Sequence, residues 1–104
     1  MITVLVNPIS GGGKAQKALY GIEEVLKQEK KAYVVKQTHM PGDATRISEE
    51  AVKEKHEAIV VAGGDGTMSE VLVGVKGTDV AIIFAPILAV SIRTALAKNR
   101  LTLD

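Results

Sequence analysis

The chain has 104 residues, with 13 Lys and Arg against 12 Asp and Glu and 46% apolar residues, which predicts one globular domain and argues against disorder, collagen and coiled coil. It has no Cys, which excludes disulfides, thiolate metal sites and Cys nucleophiles. Aromatics are 3% and the net charge is +1, which argue against a base-stacking surface and a duplex-binding field, so no nucleic-acid partner is expected.

No apolar run approaches the ~20 residues of a membrane span. Met1-Ile2-Thr3-Val4-Leu5 leads straight into a strand-like segment, so a cytoplasmic chain with no signal peptide or stable membrane anchor is expected. In chain order, the short apolar run Ile2–Val6 predicts a buried strand ending at Asn7-Pro8. After Ser10-Gly11-Gly12-Gly13 comes a helical pattern with Ala15, Ala18, Leu19, Ile22, Val25 and Leu26 on one face. Residues 32–35 read as a second strand, and Asp43 as the N-cap of a helix carrying Ala44, Ile47, Ala51 and Val52. Ala58–Ala62 is apolar and β-branched, as central parallel strands are. Gly63-Gly64-Asp65-Gly66-Thr67 then opens a helix with Met68, Val71, Leu72 and Val75. Residues 80–84 give a fourth strand, and Pro86 precedes a last helical stretch with Ile87, Val90, Ile92, Ala95 and Leu96.

Four successive β–α units predict one α/β domain over residues 1–104. The expected architecture is a Rossmann-like, three-layer α/β/α arrangement around a four-stranded parallel sheet. Such sheets bind ligands at the carboxyl ends of their strands, near a switch in strand order. Both glycine-rich loops follow strands. An order of 2-1-3-4 makes them face each other.

Glycines in a strand-to-helix turn let backbone N–H groups approach a ligand, and the helix N-terminus beyond favours an anion. Phosphate suits both loops, with Lys14 close behind the first. Asp65 amid such glycines reads either as a ligand for Mg²⁺ or a hydroxyl, or as a turn-forming Asp. Thr67 and Glu70 also have the spacing of a helix capping box. A Walker A loop is excluded: Ala15 follows Gly13-Lys14, and Pro8 stands where the first Gly is needed. The dinucleotide fingerprint fails at Gln16 and at Ser69.

Asn7-Pro8-Ile9-Ser10-Gly11-Gly12-Gly13-Lys14 and Gly63-Gly64-Asp65-Gly66-Thr67-Met68-Ser69-Glu70-Val71 resemble signatures of the diacylglycerol kinase catalytic domain. That family includes bacterial lipid kinases and sphingosine kinases and is distantly related to NAD kinases. Thr38 and Gly42-Asp43-Ala44 resemble its Thr-x-x-x-Gly-Asp-Ala segment. The resemblance implies the family's N-terminal nucleotide-binding fold and an ATP- and Mg²⁺-dependent transfer of phosphate to a lipid. It nominates Asn7, Pro8, Ser10, Gly11, Thr38, Gly63, Gly64, Asp65, Gly66 and Thr67 for the nucleotide site, with Asp65 also as the catalytic and metal-binding carboxylate. Glu70 matches the family too and is read here mainly as a cap.

Two departures qualify this expectation. Where the family has a third loop, Pro-x-Gly-Thr-x-Asn-Asp, residues 87–92 are Ile-Leu-Ala-Val-Ser-Ile, and bulky residues do not give Gly's close backbone approach. The family's C-terminal β-rich, lipid-accepting domain has no counterpart in this sequence. The chain alone is therefore expected to be incomplete as a kinase, with a lipid acceptor only through a second domain or chain. Two further readings stand beside this one: a non-enzymatic module that kept the fold, and a small lipid kinase completed by self-association or a partner. Ile87, Leu88, Val90, Ile92, Leu101 and Leu103 exceed one helix face and suggest a homo-oligomer. His39 and His56 are expected at the surface, Met40 in a loop or packing position, and Lys14, Lys17, Lys27 and Lys31 on a solvated helix face.

Overall fold

A computed structural model describes residues 1–85. The expected last helix, the segment replacing the third loop and the apolar residues up to Leu103 lie outside the described residues. Among the described residues four strands form: β1 (Ile2–Val6), β2 (Tyr33–Gln37), β3 (Ala58–Ala62) and β4 (Ala81–Phe84). Three helices alternate with them: α1 (Lys14–Gln28), α2 (Asp43–Lys53) and α3 (Asp65–Val75). The sheet order is β2-β1-β3-β4, and every pairing is parallel. Val4 stands opposite both Val35 and Val60 in this register.

Every residue of β1 and β3 is buried, which explains their unbroken apolar runs. Successive side chains of a strand point to opposite faces, so each run serves two cores. Ile2, Val4 and Val6 meet Leu19, Ile22, Val25 and Leu26 of α1 on one face. Leu5, Ile59 and Val61 meet Ala44, Ile47 and Ala51 of α2 and Val71 and Val75 of α3 on the other. The placement of helices follows from topology. The chain steps one way from β1 to β2 and the other way from β2 to β4. A constant crossover hand then requires α1 on one face and α2 and α3 on the other.

Several sequence expectations need correction. The second strand starts at Tyr33 and runs on through Lys36 and Gln37, because an edge position leaves both side chains exposed. Leu72 is 52% exposed, since α3 turns Met68, Val71 and Val75 inward instead. His56 is not a surface residue. Its side chain is 9% exposed, with Nδ1 2.6 Å from the Thr3 hydroxyl and Nε2 3.1 Å from Glu54. This Thr–His–Glu line resembles a nucleophile–base pair, but Thr3 is 2% exposed within β1, so no substrate can reach its hydroxyl. Lys31 leaves the solvated face to pair with Glu57 at 3.6 Å. His39 and Met40 are exposed, as expected for a loop.

The two expected caps also rearrange. Gly42, not Asp43, is the N-cap of α2, and Gly64 is the N-cap of α3, so Thr67 and Glu70 form no capping box. Their side chains are engaged across the fold instead. Thr67 Oγ1 accepts a bond from Asn7 Nδ2 at 3.3 Å, and Glu70 Oε1 accepts one from the Gly42 N–H at 3.0 Å.

Candidate functional site

All three helices begin at the carboxyl edge of the sheet, and each has glycine as its N-cap: Gly13, Gly42 and Gly64. Side chains such as Ser or Asp usually cap these positions and satisfy the first free N–H groups. No side-chain cap bond is present at any of the three. Some of these first donors are bonded from elsewhere, the Lys14 N–H to the Ser10 and Gly11 carbonyls, the Asp43 N–H to the Met40 carbonyl and the Gly42 N–H to Glu70, while each helix start keeps its partial positive charge. α1 has no acidic residue in its first turn, and Lys14 opens it. α2 and α3 each carry one carboxylate there, Asp43 and Asp65.

The first glycine loop is a short 3-10 turn, Ser10–Gly13, with Gly11 and Gly12 at φ 63° and 67°. Only glycine takes that left-handed conformation in sequence at low cost. The turn starts with the Ser10 N–H bonded to the Asn7 carbonyl at 3.1 Å. Its far side lies against the second glycine loop. A Cβ on Gly64 would stand 3.1 Å from Ser10 Oγ.

Asn7 joins the two loops to the sheet. Its N–H bonds the Ala62 carbonyl at 2.9 Å, extending the β1–β3 ladder, while its amide side chain reaches Thr67. Thr67 is 7% exposed and fills the space beside Gly63. A Cβ on Gly63 would lie 2.8 Å from Thr67 Cβ and Oγ1. The missing side chain at Gly63 is thus what lets Thr67 lie flat and meet Asn7.

Asn7 and Thr67 belong to one wall of a cleft of about 410 Å³. Asn7, Pro8 and Ile9 follow β1, Gly66, Thr67 and Glu70 belong to α3, and Thr38 through Pro41 with Ala44 close the β2 side. Thr38 is 8% exposed, and its N–H bonds the Val6 carbonyl at 2.9 Å. A second groove of about 310 Å³ lies beyond the loop contact and is lined by Ser10, Gly11, Lys14, Gly63, Gly64 and Phe84, among others. Asn7, Pro8, Thr38, Gly66 and Thr67 therefore share the first cleft, while Ser10, Gly11, Gly63 and Gly64 share the second groove. The sequence motifs passed over Ile9, Met40 and Ala44 as site residues. The sequence signal at Ile9 was an apolar side chain set between Pro8 and Ser10 in a turn, where it stands 82% exposed.

Asp65 lines neither cavity. It stands exposed at the first position of α3, between them in sequence, and no side chain among the described residues bonds its carboxylate. No group of three acidic or His residues that could hold a metal occurs among the described residues. One unengaged carboxylate still fits Mg²⁺, which commonly takes only one or two carboxylates together with phosphate oxygens.

The β2–α2 loop is set by Asp43. Its Oδ2 accepts the N–H groups of His39 and Met40 at 2.8 and 3.2 Å, and Arg46 lies 3.6 Å away. The bond from the His39 N–H is the main cause holding this carboxyl below the ordinary aspartate range, outweighing the opposing effect of burial. Loop stability from Asp43 is therefore complete above the ordinary aspartate pKa of about 3.9 and lost as pH falls through the lower folded-state value. A carboxyl-carbon NMR titration is expected to show that lowered value, with the His39 and Met40 amide signals moving in step. In Asp43→Asn those coupled amide shifts should vanish.

What the fold and the edge define together is an α/β domain with glycine-started helices at a strand-order switch. The diacylglycerol kinase catalytic domain family matches residues 1–91. The chain belongs to that family. It is 41% identical over 76 residues to a candidate lipid kinase of Streptococcus pneumoniae, covering 73% of this chain and 26% of the relative. A diacylglycerol kinase of Mycobacterium tuberculosis is 35% identical over 85 residues, covering 82% and 28%. The solved structure of a candidate diacylglycerol kinase from Bacillus anthracis matches with a TM-score of 0.65 and 29% identity, over 78% of this chain and 29% of that one. The matched segment thus spans between a quarter and a third of each relative's length.

Proposed function

We propose that this chain supplies the nucleotide-binding part of an ATP-dependent lipid kinase. The observation that carries the reading is the set of glycine-capped helix starts around the Asn7–Thr67 junction. In this arrangement Asn7, Pro8, Thr38, Gly66 and Thr67 hold the nucleotide in the cleft. Backbone donors at the starts of α1 and α3, with Ser10, Gly11, Gly63 and Gly64 shaping the turns, face its phosphates. Asp65 would hold Mg²⁺ against phosphate oxygens, and the ion would supply charge neutralisation to phosphoryl transfer. Positioning and charge neutralisation are the main demands of that reaction, which suits a site built from backbone.

The matched segment is at most 29% of these relatives' lengths, so the lipid acceptor is proposed to engage a second domain or chain. Self-association belongs to the same proposal. Calorimetric titration with ATP is expected to give a dissociation constant in the millimolar range or tighter, weakened when Mg²⁺ is withheld. Asp65→Asn should erase that Mg²⁺ dependence. No heat in either buffer would favour a non-enzymatic module that retains the fold. In the same preparation, labelled phosphate should not pass measurably to diacylglycerol, because parts of such a site act as a unit. Robust transfer by the chain alone, abolished in Asp65→Asn, would make it a complete small kinase.

A further inference from the structure

The two long walls of the cleft come from different elements. One is the β2–α2 loop with Thr38, His39, Met40 and Pro41, and the other is the first turns of α3. Behind the cleft the helices themselves are in backbone contact. A Cβ on Gly74 would lie 2.7 Å from the Thr45 carbonyl oxygen and 2.8 Å from Ser48 Cβ. That contact sits toward the C-terminal end of α3, away from Gly66 and Thr67. At the cleft end a different connection is needed.

Glu70 makes it twice. Its carboxylate accepts the Gly42 N–H at 3.0 Å, and its carbonyl oxygen accepts the Thr45 hydroxyl at 2.8 Å. Gly42 is at φ 95°, a left-handed conformation, and precedes the first intrahelical bond of α2. Its N–H is one of the donors a helix start leaves without an internal acceptor. Glu70 supplies that acceptor from another helix, twenty-eight positions along the chain. The loop's other end is fixed to β1 by the Thr38 N–H, and its middle by Asp43. Glu70 is the remaining anchor, and it also lines the cleft.

We infer that Glu70 is a positioning residue: its carboxylate ties the β2–α2 loop to α3 and so fixes the width of the nucleotide cleft. The role in nucleotide affinity rests on the function proposed above, whereas the tie itself does not. Glutamine keeps a carbonyl acceptor for the Gly42 N–H and alanine does not, so the two variants separate a hydrogen-bond tie from simple charge.

The test uses the full chain as wild type, Glu70→Ala and Glu70→Gln. Amide hydrogen exchange is measured without nucleotide, and Mg²⁺–ADP is then titrated. In Glu70→Ala the Gly42 amide should exchange several-fold faster, and Mg²⁺–ADP affinity should fall roughly 3- to 10-fold, the range of one lost hydrogen bond. Glu70→Gln should restore both to within about twofold. Unchanged Gly42 exchange in Glu70→Ala overturns the tie. Faster exchange with unchanged affinity overturns its role in the cleft. If wild type binds no Mg²⁺–ADP, the functional proposal fails, and Gly42 exchange in the variants still decides whether Glu70 holds the loop. Equal losses in Ala and Gln would point to charge and contradict the inference.

Discussion

Gly74→Val is expected to destabilise the chain by about 3 kcal/mol, the upper range for forcing extra atoms into a packed contact. Any Cβ at position 74 falls 2.7 Å from the Thr45 carbonyl oxygen, which is backbone and cannot rotate away. The α2–α3 pair would have to separate, opening the contacts of Ser48 and Val71 beneath it. Ser48 is fully buried, with its hydroxyl satisfied by the Ala44 carbonyl at 2.7 Å, so it has no room to yield. Gly66→Ala is the matched control on the same helix. Nothing lies within 4 Å of a Cβ there. Removing a helical glycine in open space should leave stability unchanged or raise it by up to about 1 kcal/mol. Urea unfolding midpoints read both. Equal midpoints for Gly74→Val and wild type would contradict the packing described.

The second large effect is at Gly63. Gly63→Ala puts a methyl group 2.8 Å from Thr67 Cβ, and Thr67 is itself buried. The threonine must swing or the β3–α3 turn must open, and either breaks the Asn7–Thr67 bond. Nucleotide affinity is expected to fall by more than tenfold, with a stability loss of roughly 1 to 3 kcal/mol. Thr67→Val keeps the shape and removes only the acceptor for Asn7, so its loss of affinity should be smaller than that of Gly63→Ala. Reversal of that order would mean that the hydroxyl, rather than the shape of the turn, governs the site.

Much of this was readable from residues because the driving forces are local or topological. β1 and β3 lie between two helix layers, so both faces demand apolar side chains, and unbroken runs give them away. The strand order followed from requiring the two glycine loops to meet, and they do so at Ser10 and Gly64. The misreadings at Thr67, Glu70 and His56 share one cause, which is that each side chain found a partner distant in sequence. Thr67 and Glu70 have the spacing of a capping box, yet Asn7 and Gly42 compete for them across the fold. Asp43 reaches backwards to His39 and Met40 instead of capping forwards. His56 reads as polar surface until the sheet brings Thr3 to it. Ile9 and Met40, exposed and apolar, line the cleft only because β1 and β2 end side by side.

Nucleotide is proposed to lie in the cleft at the carboxyl edge, with its phosphates toward the two glycine loops. The most direct measurement is a titration of isotope-labelled chain with Mg²⁺–ADP, followed by amide chemical shifts. Shifts are expected to concentrate at residues 10–14 and 63–67, with Asn7 and Thr38 moving alongside them and the Thr3–His56 region at the opposite edge silent. A flat titration at millimolar nucleotide, or shifts centred on His56, would contradict it.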